Sequence, residues 1–344
     1  MSSNNRIIQY DVLRIIAAFA VVLLHTSAQR FYDCYPSIEW DIRNFYDSSV
    51  RWSVPIFVMI SGALFLDSKK RINIEKLYSG NITRIILVFA FWSIIYAIYA
   101  RDENGLLFMF RRIIKGPFHF WFLKMIIGLY ITVPILRAIV AHKKLELYFL
   151  CLSFVTAFLI PMIFPMIGYI SSEAEDQAIK YYDGFGIKIA SGFVGYFVLG
   201  HYLTNNEIKK TAKNVIYILG ILSVVAVCIL TDFVSDRDGV PNLFFYGDIN
   251  VFTLFEAIAL FIFIKDIQIA PKNQSLVIYS SKLSLGIYII HPLVMYILYD
   301  LWIINSASLN PIYFIPIFAI IVFLVSYCVT FVLIRIPIIK KFML

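Results

Sequence analysis

Ten apolar stretches, each of a length that crosses a hydrocarbon core, occur at about 8–28, 50–66, 82–100, 118–137, 147–170, 187–204, 214–231, 249–264, 276–299 and 311–335. A helix needs roughly 20 predominantly apolar residues to span a bilayer. Inside that medium every backbone N–H and C=O must be satisfied within the segment, and for runs of this length the α-helix does so. The expected fold is therefore all-α and integral to the membrane, with about ten transmembrane helices in a single domain over residues 1–344. A hydrophobic content of 60% and a mean hydropathy of +0.80 are too apolar for a soluble domain of this length. No internal repeat or low-complexity linker divides the chain.

The formal net charge of +8 would suit a nucleic-acid partner, but the basic residues lie in short loops between the apolar runs and report topology instead. Nucleic-acid binding is not expected. If the N-terminus is cytoplasmic, that side collects Lys69, Lys70, Arg71, Lys143, Lys144, Lys209, Lys210, Lys340 and Lys341. The opposite side then collects Glu173, Glu175, Asp176, Asp232, Asp236 and Asp238, so both termini are expected in the cytoplasm. Four scattered cysteines without C-x-x-C spacing predict neither a disulfide framework nor a zinc site. Asp11 and Arg14 interrupt any signal-peptide core, so the first helix is expected to remain in the protein.

That first helix is unusual in carrying Asp11, Arg14 and His25 within an apolar run. Eleven residues at about 100° each are roughly three turns plus 20°, which puts Arg14 and His25 on one face about 16 Å apart along the axis. Asp11 falls close to the same face. One reading is an Arg14 that snorkels to the interface beside Asp11, with His25 ending the helix. The other is functional: the guanidinium holds an anionic or carbonyl-bearing group while the imidazole serves as base or acyl carrier. The shared face favours the second.

Further histidines fall in the same predicted half of the membrane. Phe118-His119-Phe120-Trp121-Phe122 opens the fourth segment, with Lys124 deeper and expected to pair with Glu256. Ser284, Tyr288 and His291 share a helical face just before Pro292. His291 reads either as a kink residue bonding a carbonyl freed by Pro292 or as a third histidine of the site. Without H-x-x-x-H spacing or a paired carboxylate, no metal site is expected. Arg101, Arg111, Arg112 and Lys115, against Asp102 and Glu103, form a basic loop on the predicted outer side, read either as an amphipathic outer loop or as contacts to an anionic ligand. Ser61-Gly62 predicts close helix packing, and no G-x-S-x-G elbow supports a serine hydrolase.

Four of these segments, in this order, resemble the membrane acyltransferase family 3: Arg14 with His25, Ser53-Val54-Pro55-Ile56-Phe57-Val58-Met59-Ile60-Ser61-Gly62, His119-Phe120-Trp121-Phe122-Leu123, and Ser284-Leu285-Gly286-Ile287-Tyr288-Ile289-Ile290-His291-Pro292. Val58 and Ala63 stand where the family often has aromatics. Trp40-Asp41-Ile42 and the absence of an added soluble domain are most similar to members that O-acetylate enterobacterial common antigen and exopolysaccharides.

The resemblance implies a multi-pass protein of the bacterial cytoplasmic membrane. It would move an acetyl, or alternatively a succinyl, group from acyl-CoA to a hydroxyl of a surface glycan or lipid-linked saccharide. Acetyl-CoA enters as donor substrate and no bound cofactor is expected; membrane lipids and polysaccharide-assembly proteins are the further partners. His25, Arg14 and His119 carry over as catalytic residues, Arg14 on the donor side. Asp11, Trp121, Tyr288 and His291 are expected around the substrates, and Arg111, Arg112 and Lys115 at the acceptor's phosphates. The alternative from another class is a transporter or flippase for a polysaccharide precursor or small metabolite, which buried Arg and His would also suit.

Overall fold

The structure is a computed structural model and describes residues 6–69, 72–100, 105–187, 190–302 and 309–340. Lys70, Arg71, Arg101, Asp102, Glu103 and Lys341 lie outside the described residues. In chain order the helices are α1 (Ile8–Ser27), α2 (Ile38–Ser48), α3 (Ser53–Phe65), α4 (Ile74–Lys76), α5 (Thr83–Tyr99), α6 (Leu106–Lys115), α7 (Trp121–Val140), α8 (Lys143–Ser153) and α9 (Ile160–Gly168). They continue with α10 (Ser172–Gly184), α11 (Val194–Asn205), α12 (Lys210–Asp238), α13 (Val251–Asp266), α14 (Pro271–Lys282), α15 (Ser284–Trp302), α16 (Pro311–Leu333) and α17 (Pro337–Lys340). No strand occurs among the described residues.

The all-helical membrane fold is as the hydropathy requires. Among the described residues eight helical stretches are long and apolar enough to span a membrane, and a ninth is the pair α14 and α15, bent by 55°. The remaining expected span, the sixth at 187–204, is represented by α11, whose 12 residues cover only about 18 Å at 1.5 Å per residue. The second span is longer than its apolar run: α2 and α3 together occupy Ile38–Phe65. Ser37 caps α2, its hydroxyl accepting from the Trp40 N–H at 3.2 Å.

The chain forms two compact units. The first comprises Met1–Val50, Ile72–Ile131 and Ile267–Leu344. Within it α1 packs against α2, α14, α15 and α16. Leu13, Ala17, Ala18, Ala20, Val21 and Val22 form its buried face, where small side chains let neighbouring backbones approach. Beyond the end of α1, Arg43 of α2 is fully buried: its guanidinium donates to Glu39 Oε1 at 2.7 and 3.0 Å and to the Ser27 carbonyl at 3.4 Å. A cation at the last carbonyls of a helix also opposes its dipole favourably.

The second unit comprises Arg51–Arg71 and Thr132–Asp266. Here α3 packs on α11 and α12 on α13. Gly62 and Gly200 make the α3–α11 seam possible: a Cβ on Gly62 would lie 1.7 Å from the Phe197 carbonyl oxygen, and one on Gly200 would lie 1.9 Å from that of Met59. The packing role expected of Ser61-Gly62 follows from that contact. Ser61 itself bonds back to the Phe57 carbonyl at 2.9 Å.

Candidate functional site

α1 is one unbroken helix from Ile8 to Ser27, so Arg14 and His25 keep the three-turn separation expected of them. Asp11 is nearly fully buried, and Arg6 grips it with two charge-assisted bonds of 2.6 Å, while Arg14 reaches the same carboxylate at 3.7 Å. Arg6, outside the spanning helix, is held more firmly in its charged form by that hydrogen bond. Because Arg6 occupies the carboxylate, Arg14 is not consumed by its partner, and its side chain stays 31% exposed. Tyr130 of α7 lies within electrostatic reach of both Arg14 and Arg84 of α5. Between Arg14 and His25 on the same stripe, Ala18 and Val21 are 1% and 4% exposed, so that face is covered by neighbouring side chains.

At the other end of α1 three histidines meet within the first unit. His25 Nδ1 lies 2.6 Å from His291 Nε2, with ring centroids 4.9 Å apart and planes within 5°. Parallel rings stacked face to face could not bring two ring nitrogens that close. The two distances fit rings lying nearly in one plane and meeting edge to edge, as an N–H···N bond along an in-plane lone pair demands. The His119 ring stands edge-on to His291 at 5.7 Å, and Phe118 packs edge-on against His25 at 5.2 Å. His119 is 1% exposed; its Nε2 faces the Ile289 carbonyl at 3.3 Å, and its Nδ1 is buried with no hydrogen-bond partner.

The sequence around Pro292 explains why these rings collect there. Proline has no N–H to give the carbonyl four residues earlier, that of Tyr288. His291 Nδ1 fills the gap, 2.8 Å from the Tyr288 oxygen and 3.2 Å from that of Ile287. One residue on, the Tyr96 hydroxyl joins the next pair in the helical ladder, donating to the Ile289 carbonyl at 2.8 Å and accepting from the Leu293 N–H at 3.2 Å. A side chain entering the ladder in this way is a recognised cause of local helix distortion. The Tyr288 hydroxyl donates in turn to the His119 carbonyl. The opened segment of α15 is thereby tied to α5 and to the start of α7.

The other residues expected at the site take separate places. Tyr288 is buried and its hydroxyl is committed to the His119 backbone, so it supports the histidine cluster. Trp121 is 41% exposed at the start of α7. Arg111, Arg112 and Lys115 lie on α6, an amphipathic helix bounded by Gly105 and Gly116, both with positive φ. Arg112 and Lys115 sit in its last turn, where the dipole favours cations, and Arg112 lies over the Phe108 ring at 5.2 Å. Lys124, expected to pair with Glu256, instead donates to the Lys115 carbonyl at 2.7 Å and approaches the Phe89 ring at 5.2 Å. In the second unit Glu256 is buried within electrostatic reach of Arg51. Among the described residues no group of three or more His, Cys, Asp or Glu side chains is arranged to hold a metal ion.

Sequence reasoning missed Tyr96, Tyr130 and Arg84. A tyrosine in an apolar helix reads as ordinary packing, and only the register of α5 against α15 makes Tyr96 a ladder residue. Arg84, one residue into α5, reads as a charge at a helix end.

The helical membrane protein thus gathers three histidines at one end of α1, with the Arg14 guanidinium three turns away on the same helix. The chain belongs to acyltransferase family 3: the family model described as an acyltransferase domain matches residues 7–331, and with the fold this makes it a membrane acyltransferase. No curated protein and no solved structure matches it.

Proposed function

We propose that the protein is an O-acetyltransferase of the bacterial cytoplasmic membrane that moves the acetyl group of acetyl-CoA to a hydroxyl of a cell-surface or lipid-linked polysaccharide. The observation that carries this reading is the meeting of His25 with His291 beside His119 at one end of α1, with Arg14 on the same helix. In the orientation favoured by the positive-inside bias, Arg14 lies toward the cytoplasm, where acetyl-CoA is made, and the histidines lie toward the outer surface. Arg14, with Arg84 nearby, suits the phosphates of the donor. The thin pantetheine arm would approach His25 along α1, parting the side chains that cover Ala18 and Val21.

In the transfer step His25 removes the proton of the sugar hydroxyl as its oxygen attacks the thioester carbonyl. The C–O bond forms, the C–S bond breaks, and the imidazolium returns the proton to the departing thiolate. An acetyl-imidazole on His25 is the two-step variant of the same chemistry. Arg111, Arg112 and Lys115 would hold the phosphates of a lipid-linked acceptor.

The test uses purified protein with radiolabelled acetyl-CoA and polysaccharide-precursor lipid extract. Wild type is expected to transfer label, and His25→Ala to lose transfer by at least roughly 10²-fold while remaining inserted and folded. Full activity in His25→Ala would remove the mechanism.

A further inference from the structure

The hydrogen bonds around Pro292 fix which nitrogen of His25 is the base, and they do so through a residue that has no need to touch substrate. Carbonyl oxygens only accept, so the His291 nitrogen facing the Tyr288 and Ile287 carbonyls, Nδ1, carries a hydrogen. In a neutral imidazole the other nitrogen, Nε2, then holds the lone pair. That lone pair faces His25 Nδ1 at 2.6 Å in the common plane of the rings, so His25 Nδ1 must be the donor. A doubly protonated His291 would reverse the bond. It would also place a cation at a fully buried position beside His25, His119 and the Tyr288 phenol, with no ion pair to it among the described residues, which is the costly arrangement for a charge out of water.

We propose that His291 is a positioning residue for acyl transfer: anchored by the carbonyl that Pro292 leaves open, it accepts the Nδ1 hydrogen of His25, holds that ring in the Nδ1–H tautomer, and so presents His25 Nε2 as the base. The inference rests on the reading of His25 given above. The arrangement is the orienting logic of a catalytic triad with a neutral imidazole in place of the carboxylate, and there the wrong tautomer abolishes most of the rate. His291 stabilises no charge as a carboxylate would, so its contribution is geometric. His119 cannot substitute, because its ring stands edge-on to His291 and its Nε2 faces the Ile289 carbonyl.

Two variants separate this role from packing. His291→Leu removes the acceptor, and His291→Gln returns an amide oxygen near the former Nε2. His291→Leu is expected to lower kcat by roughly 10²-fold or more with KM for acetyl-CoA changed less than about threefold, and His291→Gln to recover at least about tenfold of that loss. A spectroscopic readout is independent of activity: ¹⁵N histidine NMR of the reconstituted protein, with the His25 signal identified by its loss in His25→Ala. It should show His25 as the Nδ1–H tautomer in wild type and a tautomer mixture in folded His291→Leu. A wild-type His25 in the Nε2–H tautomer, or full kcat in His291→Leu, would overturn the proposal. If instead His25→Ala is active, it is the proposed function that fails, which keeps the two failures distinguishable.

Discussion

The α3–α11 seam allows a prediction whose size follows from two distances. An added Cβ on Gly62 would lie 1.7 Å from the Phe197 carbonyl oxygen, whereas a carbon meets a carbonyl oxygen at about 3.3 Å or more. The shortfall, roughly 1.6 Å, cannot be taken up by a side-chain rotation, since the obstacle is backbone on the partner helix. The helices must part, and a gap of even 0.5–1 Å forfeits about a quarter to a half of each dispersion contact across a seam. Met59 and Phe197, whose backbones form the contact, are both fully buried. Gly62→Ala should therefore cost about 3 kcal/mol, at the upper end of ordinary overpacking. Gly200→Ala, facing the Met59 carbonyl at 1.9 Å, should cost nearly as much. Because either substitution forces the same separation, the double variant should lose clearly less than the two single losses added. Gly128 in α7 is the control, since nothing lies within 4 Å of its added Cβ. There alanine should be neutral or stabilising by up to about 1 kcal/mol through helix propensity. Thermal unfolding in detergent, followed by circular dichroism, measures all four. An unchanged melting temperature for Gly62→Ala, or strict additivity in the double variant, would refute the close-contact argument.

Two ion-pair predictions follow from burial. Glu39→Ala leaves the fully buried Arg43 without its carboxylate and should destabilise by about 3 kcal/mol, whereas Glu39→Leu combined with Arg43→Met should restore most of that loss; equal melting of the single and double variants would contradict it. Asp11→Asn removes two charge-assisted bonds to Arg6, but Arg6 is 39% exposed and rehydrates, so the expected cost is only about 1–2 kcal/mol by the same melt. A loss above about 4 kcal/mol would mean that Asp11 carries more of the first unit than its partners indicate.

The face shared by Arg14 and His25 needed only the 3.6-residue repeat, and α1 preserves it. His291 was read either as a kink residue or as part of the site. The structure shows its ring bonded to the carbonyl that Pro292 leaves open and set against His25. Lys124 was misread because its partner depends on where α6 ends, and Tyr96 was passed over because an apolar helix gives no sign of which tyrosine enters a neighbour's ladder.

What the sequence determined by itself is the membrane class, the helical backbone, the apolar segments, the stripe on the first helix and the family motifs. All of these are local properties: hydropathy over about twenty residues, a helical period, and a solvent that forces the backbone to satisfy itself. The tertiary structure decided that His25 meets a histidine 266 positions away, that Asp11 belongs first to Arg6, and that Gly62 and Gly200 lie against carbonyls. Those facts depend on the register of one helix against another, which packing sets to within an ångström and which no periodicity along a single segment records.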